Sequence, residues 1–397
     1  MAASGQATAR TTNRQIADAL QLSESTVSRA LSPRNASLVA RETRDRIRQK
    51  AYELNYVAKS SQVNKRPARG RVVVGVIVRD SRDLFFPHLV HSLIAEARGL
   101  GWLIILGFAE SRSLAARRLE ETLETRHCHA IILAGDFADD PIASELIATH
   151  VPLVGLCQGA RLPGVPVVNT DNTAGCRLVM SDLYHAGHQR IAFLTGRGIG
   201  DVEDRAREHE RYLRNINPGR DLFDETLVVP ATNNPAGGAQ GFLLLMGRPD
   251  PPTAIVAATD AIAFGCLWQA ARMNIPVPGG VSIAGYDDIP WFEHSVPPLT
   301  TVRQPVGDLA RGCLRLVDEL LDHQSRGLSA KDLPNDRDWD RTVWPPTTRL
   351  DTSDGRRVFL IPPQYVPRGS TGPAPAATSQ SPVSASPSTE VAPDEGG

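Results

Sequence analysis

The sequence predicts an α/β chain in which a small all-α head precedes two lobes, each built on a doubly wound parallel sheet. Three observations predict it. Residues 13–31, NRQIADALQLSESTVSRAL, read as two short amphipathic helices around a tight turn. From residue 72, short β-rich apolar runs alternate with helical stretches. That alternation then runs a second time over a similar length.

Taken in order, residues 1–11 are rich in Ala, Thr and Ser and are expected to be disordered. In the head, 12–57, Ile16 and Leu20 share one helix face, and Val27 and Leu31 repeat the spacing. Ser23 suits the N-cap of the second helix, where its hydroxyl can accept an orphan backbone N–H. A third helix near 41–54 has Ile47, Ala51 and Leu54 as its apolar stripe and Arg41, Arg44, Arg46, Arg48 and Lys50 on its other faces. Residues 58–71, AKSSQVNKRPARGR, have almost no large apolar side chains and form a basic linker.

Over 72–371 the runs VVVGVIV (72–78), WLIILGF (102–108), HAIILAG (129–135) and VPLVGLC (151–157) are read as strands, with helices near 88–99, 112–126 and 140–149. RIAFLTG (190–196), TLVVP (226–230), TAIVAA (253–258) and VSIAGYD (281–287) continue the pattern, with helices near 173–187, 203–215, 237–247 and 260–274. Such alternation gives parallel sheets with helices on both faces, and ligands sit at the strand carboxyl ends or in the cleft between two lobes. The first lobe is expected over about 72–170 plus 302–325, and the second over about 171–300 plus 358–371. Residues 326–357, including KDLPNDRDWDR, read as a polar insertion. FLIPPQYVPRGST (359–371) reads as a last strand, and 372–397 as a disordered Pro/Ala/Ser/Thr tail.

Charge divides the chain. Residues 1–70 hold thirteen Lys/Arg against five Asp/Glu, and the remainder holds 30 against 39. A basic head on an acidic body suggests contact with phosphate, although a solvated charged surface reads the same way. Cys128, Cys157, Cys176, Cys266 and Cys313 are scattered, with no CxxC pair, and read as buried thiols in a reducing compartment; no metal site is expected. No apolar run is long enough to span a membrane and no signal-peptide core is seen, so a cytoplasmic protein is expected. There is no GxGxxG after a first strand, no GxxxxGK[ST] loop and no GxSxG elbow, so neither a cofactor nor an enzymatic activity is expected.

Several motifs in this order carry a resemblance: SESTVSRAL (23–31), ETRDRIRQKAYELNY (42–56), DLFFPHLV (83–90), NTDNTAGCRL (169–178), HAGHQRIAFLTG (185–196), ATDAIAFG (258–265), VSIAGYDDI (281–289) and PPLTTVRQP (297–305). Together they make the chain resemble the lac repressor family of bacterial transcriptional regulators. The resemblance implies a helix-turn-helix DNA-binding domain followed by a two-lobed periplasmic-binding-protein-like domain. It implies a homodimer on a pseudo-palindromic operator in double-stranded DNA, with a small effector in the cleft and repression as the output.

The resemblance places Glu24 and Ser25 at base edges, where a Glu can accept from a cytosine amino group; a first-turn acid also complements the helix dipole. Thr26 and Ser28 suit phosphate or base contacts, and Arg29 matches an arginine able to grip guanine. Asn13, Ser23 and Asn35 are candidate phosphate contacts that set register. The turn has Gln21 where the family often has Gly. The linker lacks the family's leucine wedge; Val63 is its apolar candidate, Lys65 falls near the wedge position, and Lys65, Arg66 and Arg69 can act by charge or minor-groove insertion.

In the cleft, Phe85 and Phe86 match an aromatic pair that can stack on the effector, with lid or core packing as the alternative. Arg205 matches an arginine that donates to effector hydroxyls or carboxylates, with Arg207 as the near alternative. Asp260 and Asp287 match strand-end carboxylates able to accept two vicinal hydroxyls, and Asp136 adds another; helix capping is the alternative at Asp287 and Asp288. Glu208-His209 and Pro235-Ala236 stand where the family usually has an aromatic residue, which favours a sugar or other polar metabolite over a purine. A periplasmic binding protein is the competing reading for the two lobes, and the basic head speaks against it.

Overall fold

The computed structural model describes residues 12–31, 38–54, 71–80, 82–109, 128–137, 141–148, 151–157, 162, 164–196, 200–326, 348–351 and 357–375. The N-terminal segment, the linker up to residue 70, the helix expected near 112–126 and most of the polar insertion and tail lie outside these residues.

In the head, α1 (Asn13–Leu20), α2 (Glu24–Ala30) and α3 (Arg41–Glu53) close around Ile16, Ala17, Val27, Ala30, Ile47 and Ala51. Both short helices are capped at their starts. Thr12 and Gln15 form a reciprocal capping box on α1, and the Ser23 hydroxyl accepts the Thr26 N–H at 3.1 Å on α2. The turn is made without glycine: Gln21 takes the left-handed conformation itself, at φ 54°. A side chain there costs on the order of 1 kcal/mol, which three packed helices can carry.

The larger sheet runs β11 (Arg349–Asp351), β12 (Val358–Ile361), β5 (Val167–Thr170), β4 (Leu153–Leu156), β3 (Ala130–Ala134), β1 (Val73–Val78) and β2 (Leu103–Phe108). All its neighbours pair in parallel except β11 with β12. Its central strands β3, β4 and β5 are buried throughout, β3 and β4 as the continuous apolar runs that a sheet covered on both faces requires. Helices α4 (Phe85–Gly99), α5 (Pro141–Ala148) and α10 (Val306–Ser325) belong to this lobe, and α10 packs on α4.

The smaller sheet runs β7 (Val228–Ala231), β6 (Ile191–Gly196), β8 (Ala254–Ala257) and β9 (Ser282–Ala284), all parallel. Around it lie α6 (Asn172–His185), α7 (Gly200–Asn215), α8 (Pro235–Met246) and α9 (Asp260–Arg272). β10 (Thr301–Arg303) bridges to the end of this sheet and pairs antiparallel with β13 (Gln364–Val366).

Three expectations change. Residues 359–371 are not one strand of the second lobe: β12 pairs with β5 in the larger sheet, and the chain then crosses at Pro362-Pro363 before β13 pairs with β10. Proline has no N–H for a ladder, so the strand breaks there. The polar insertion ends in a strand, β11, on the edge of the larger sheet. Finally, residues 372–375, expected in the tail, pack on the second lobe: Gly372 N–H donates to Ser282 Oγ at 3.1 Å and Ala374 N–H to the Ala186 carbonyl at 2.8 Å.

Candidate nucleic-acid interface and ligand cleft

On α2, Val27 and Ala30 are buried, while Glu24, Ser25, Ser28 and Arg29 are exposed and Thr26 is half-buried. The exposed Ser23 hydroxyl lies 2.9 Å from Ser25 Oγ and 2.7 Å from Thr26 Oγ1, so three hydroxyls cluster at the helix start. Asn13 sits at the start of α1, half-buried, with Oδ1 unpartnered among the described residues. Asn35, Val63, Lys65, Arg66 and Arg69 lie outside the described residues.

Between the lobes lies a cavity of about 270 Å³, lined from both sides. Phe85 and Phe86, at the start of α4 after β1, line it with rings 5.6 Å apart in an edge arrangement. Asp136 follows β3, Arg205 comes from α7 and Asp287 follows β9; all three line the same cavity.

Arg205 is held on several sides. Its Nε donates to Asn172 Oδ1 at 2.9 Å and one terminal nitrogen to Asp201 Oδ2 at 3.1 Å, one helical turn back. Its guanidinium lies 3.6 Å above the Tyr286 ring, a cation–π contact that fixes its plane. Gly175 on α6 makes room for this stack: a Cβ there would meet the Tyr286 hydroxyl at 2.3 Å. Three of the five guanidinium N–H groups serve these anchors and the Ala258 carbonyl, which leaves donors for an occupant of the cleft.

Asp287 and Asp288 both take positive φ, 126° and 58°. Asp288 points away from the cleft and is clamped by Arg303 and Arg368 at 2.5 and 2.6 Å. Asp287 points in, where Oδ1 accepts from Gln304 Nε2 at 2.7 Å, and Gln304 Oε1 in turn accepts from the Thr170 hydroxyl at 2.6 Å. This chain joins the end of β5 in one lobe to the loop after β9 in the other. A second link crosses the cleft: Asn233 Nδ2 donates to Asp83 Oδ2 at 2.9 Å, and Asn233 Oδ1 accepts from the Thr259 hydroxyl at 2.6 Å. Burial pushes the Asp83 carboxyl up to about 6, and burial, then the neighbouring Asp260 and Asp83, hold Asp287 well above the usual carboxylate range against the pull of Arg205.

Five of the six residues expected at the effector site meet in this cavity. Asp260 does not. It is fully buried, with Oδ1 accepting from Thr301 at 2.5 Å and Oδ2 from the Ile289 N–H at 2.8 Å, so it ties β10 and the loop after β9 to the start of α9. Thr259, one residue earlier, lines the cavity instead. Arg207 is exposed and paired with Glu203 and Asp204. Glu208 is buried against Arg177 and Arg211, and His209 lies in the core, so neither replaces an aromatic wall. Sequence reasoning missed Asp83, Asp201, Asn233 and Gln304. Two of these had a local signal: Asp201 is four residues before Arg205 on one helix, and Asp83 precedes the aromatic pair by two.

An exposed recognition helix on a small basic head, with a two-lobed ligand cleft behind it, defines a ligand-responsive DNA-binding regulator. Residues 180–335 match the periplasmic binding protein-like domain. The HTH-type transcriptional regulator GalS of Salmonella typhimurium (strain LT2) is 30% identical over 304 residues, covering 76% of this chain and 87% of the relative. The chain therefore belongs to the lac repressor family of transcriptional regulators. The fold agrees with a solved complex of the transcriptional regulator CelR with cellobiose (23% identity, TM-score 0.63, 91% of this chain and 100% of that one). It agrees as well with the lac repressor dimer bound to operator and the anti-inducer ONPF (21% identity, TM-score 0.59, 92% and 100%).

Proposed function

We propose that this protein is a repressor that binds a pseudo-palindromic operator as a homodimer and changes its grip when a small polar, sugar-type effector enters the cleft. The observation that carries the reading is α2, whose apolar residues are all turned inward while Glu24, Ser25, Ser28 and Arg29 face out. Two such heads related by a two-fold match two half-sites one helical turn apart or a multiple of it. A dimer is supported by apolar surface on both lobes: Ile94, Leu103, Ile105 and Phe108 on α4 and β2, and Trp268, Trp291 and Val296 on the smaller lobe are exposed. The solved relatives, a cellobiose complex and an operator-bound dimer, point the same way. Two rings, an arginine with spare donors and several carboxylates are what vicinal hydroxyls need. Lobe closure would reach the head through the basic linker, with no catalytic step, in the cytoplasm where the DNA is.

The reading is tested by selecting DNA from a random pool with the full chain. An inverted repeat is expected, and Arg29→Ala should relax preference at one base pair per half-site, by about 1–3 kcal/mol. Equal binding to every sequence would overturn it.

A further inference from the structure

The charge of the cleft says more about its occupant. With this cavity read as the effector site, the charges of its lining select among sugar-like molecules. Five aspartates and three arginines line the cavity. Two of the arginines are committed: Arg82 grips Asp80 with two bonds of 3.0 and 3.1 Å, and Arg205 holds Asp201 at 3.1 Å. The third, Arg79, lies over the Phe137 ring at 5.4 Å. Among the described residues, Asp83 and Asp287 make no ion pair. Asp83 accepts from the Phe85 N–H and the Asn233 amide, and Asp287 from the Gln304 amide. Asp287 is only 8% exposed, and its second oxygen is left to the cavity it lines.

We propose that the effector is a polyhydroxylated cation, an amino sugar or another amine-bearing polyol, whose ammonium group is received by Asp83 and Asp287. A buried carboxylate without a cation is costly, and two facing one cavity raise each other's cost. Burial holds the pKa of both groups above the usual carboxylate range, which reflects that cost. An ammonium supplies positive charge and three N–H donors, and charge-assisted bonds are roughly twice as strong as neutral ones. The ring and hydroxyls of such a molecule meet the Phe85 and Phe86 rings and the spare donors of Arg205. A phosphorylated or carboxylated sugar places an anion against the same two carboxylates and is disfavoured.

The test uses matched pairs on the full chain, by thermal shift and calorimetry. The first pair is Tris against pentaerythritol, which share a tris(hydroxymethyl) carbon and differ by an ammonium in place of a fourth hydroxymethyl group. The others are glucosamine, galactosamine and mannosamine, each against its parent hexose, its N-acetyl form and its phosphate ester. The best amine should bind at least about tenfold more tightly than its neutral partner, a difference of about 1.4 kcal/mol. Asp287→Asn, which keeps a carbonyl for Gln304, should shrink that gap to about twofold, and Asp83→Asn should shrink it as well. The unliganded melting temperature of each variant checks the fold. Neutral sugars binding as tightly as their amine partners would overturn the proposal and leave the effector reading standing. So would an amine preference that survives Asp287→Asn. No binding by any polyol, charged or neutral, would overturn the effector reading and the proposal together.

Discussion

His209 shows how much a single buried group can tie stability to pH. Its Nε2 donates to the Ile191 carbonyl at 3.0 Å, its Nδ1 has no partner among the described residues, and Phe193 and Phe223 flank the ring. Burial lowers its pKa to about 4. The folded state thus binds fewer protons than the unfolded one, whose histidine titrates near 6.5. Its contribution is whole above that value and is lost as the pH falls toward 4. The loss amounts to about 3 kcal/mol. Asp83, half-buried, and Asp260, fully buried, are both pushed up to about 6 and act in the opposite direction, so the total pH profile hides the effect. A comparison with His209→Gln isolates it: the stability advantage of the natural protein over the variant should shrink by about 3 kcal/mol between pH 7 and pH 4. A difference that does not move with pH would contradict this. At this scale much of the site was legible. Phe85, Phe86 and Asp287 are legible in DLFFPHLV and VSIAGYDDI, Asp136 in its place just past a strand run, and Arg205 only through the family resemblance. The expectation at Asp260 came from the resemblance to a strand-end carboxylate, whereas in this chain Thr259 lines the cavity and Asp260 is buried, accepting the Ile289 N–H.

Among the elements, the C-terminal strap after β13 holds Asp288, the residue next to Asp287. After β13, Arg368 donates to Asp288 Oδ1 at 2.6 Å and to the Leu299 carbonyl at 2.8 Å, and His188 Nε2 lies 3.0 Å from the Gly372 carbonyl. This clamp holds two consecutive aspartates in left-handed backbone, a strain found where a side chain must be aimed. Arg368→Ala should lower stability by about 2 kcal/mol, less than a fully broken buried pair because Arg303 keeps its bond to Asp288. It should also weaken effector binding, read by calorimetry, and Arg368→Lys should restore part of both. Unchanged effector affinity would remove the strap from the account. The sequence reads the strap as the end of a last strand and the start of a tail, because VPRGSTGP carries no apolar period that would show what it packs on. Likewise β5, Val167–Thr170, was passed over: it is short and half polar, and only its place in the sheet makes it a strand. The long apolar strands and the head helices were legible because burial fixes their period.

In the whole molecule, the head and the cleft are separate cores joined by a basic linker that lies outside the described residues. The two links across the cleft, Asp83 to Asn233 and Asp287 through Gln304 to Thr170, are positioned to respond to an occupant, since each begins on a residue that lines the cavity. If lobe arrangement sets the spacing of two heads, operator and effector must influence each other equally, because coupling free energy is reciprocal. The most direct test measures both directions on the full chain, with the selected operator and the tightest-binding polyol from the matched pairs. The predicted result is that saturating effector changes operator affinity, and saturating operator changes effector affinity, by one shared factor of roughly 5–150. Operator affinity that is the same with and without bound effector would contradict the account.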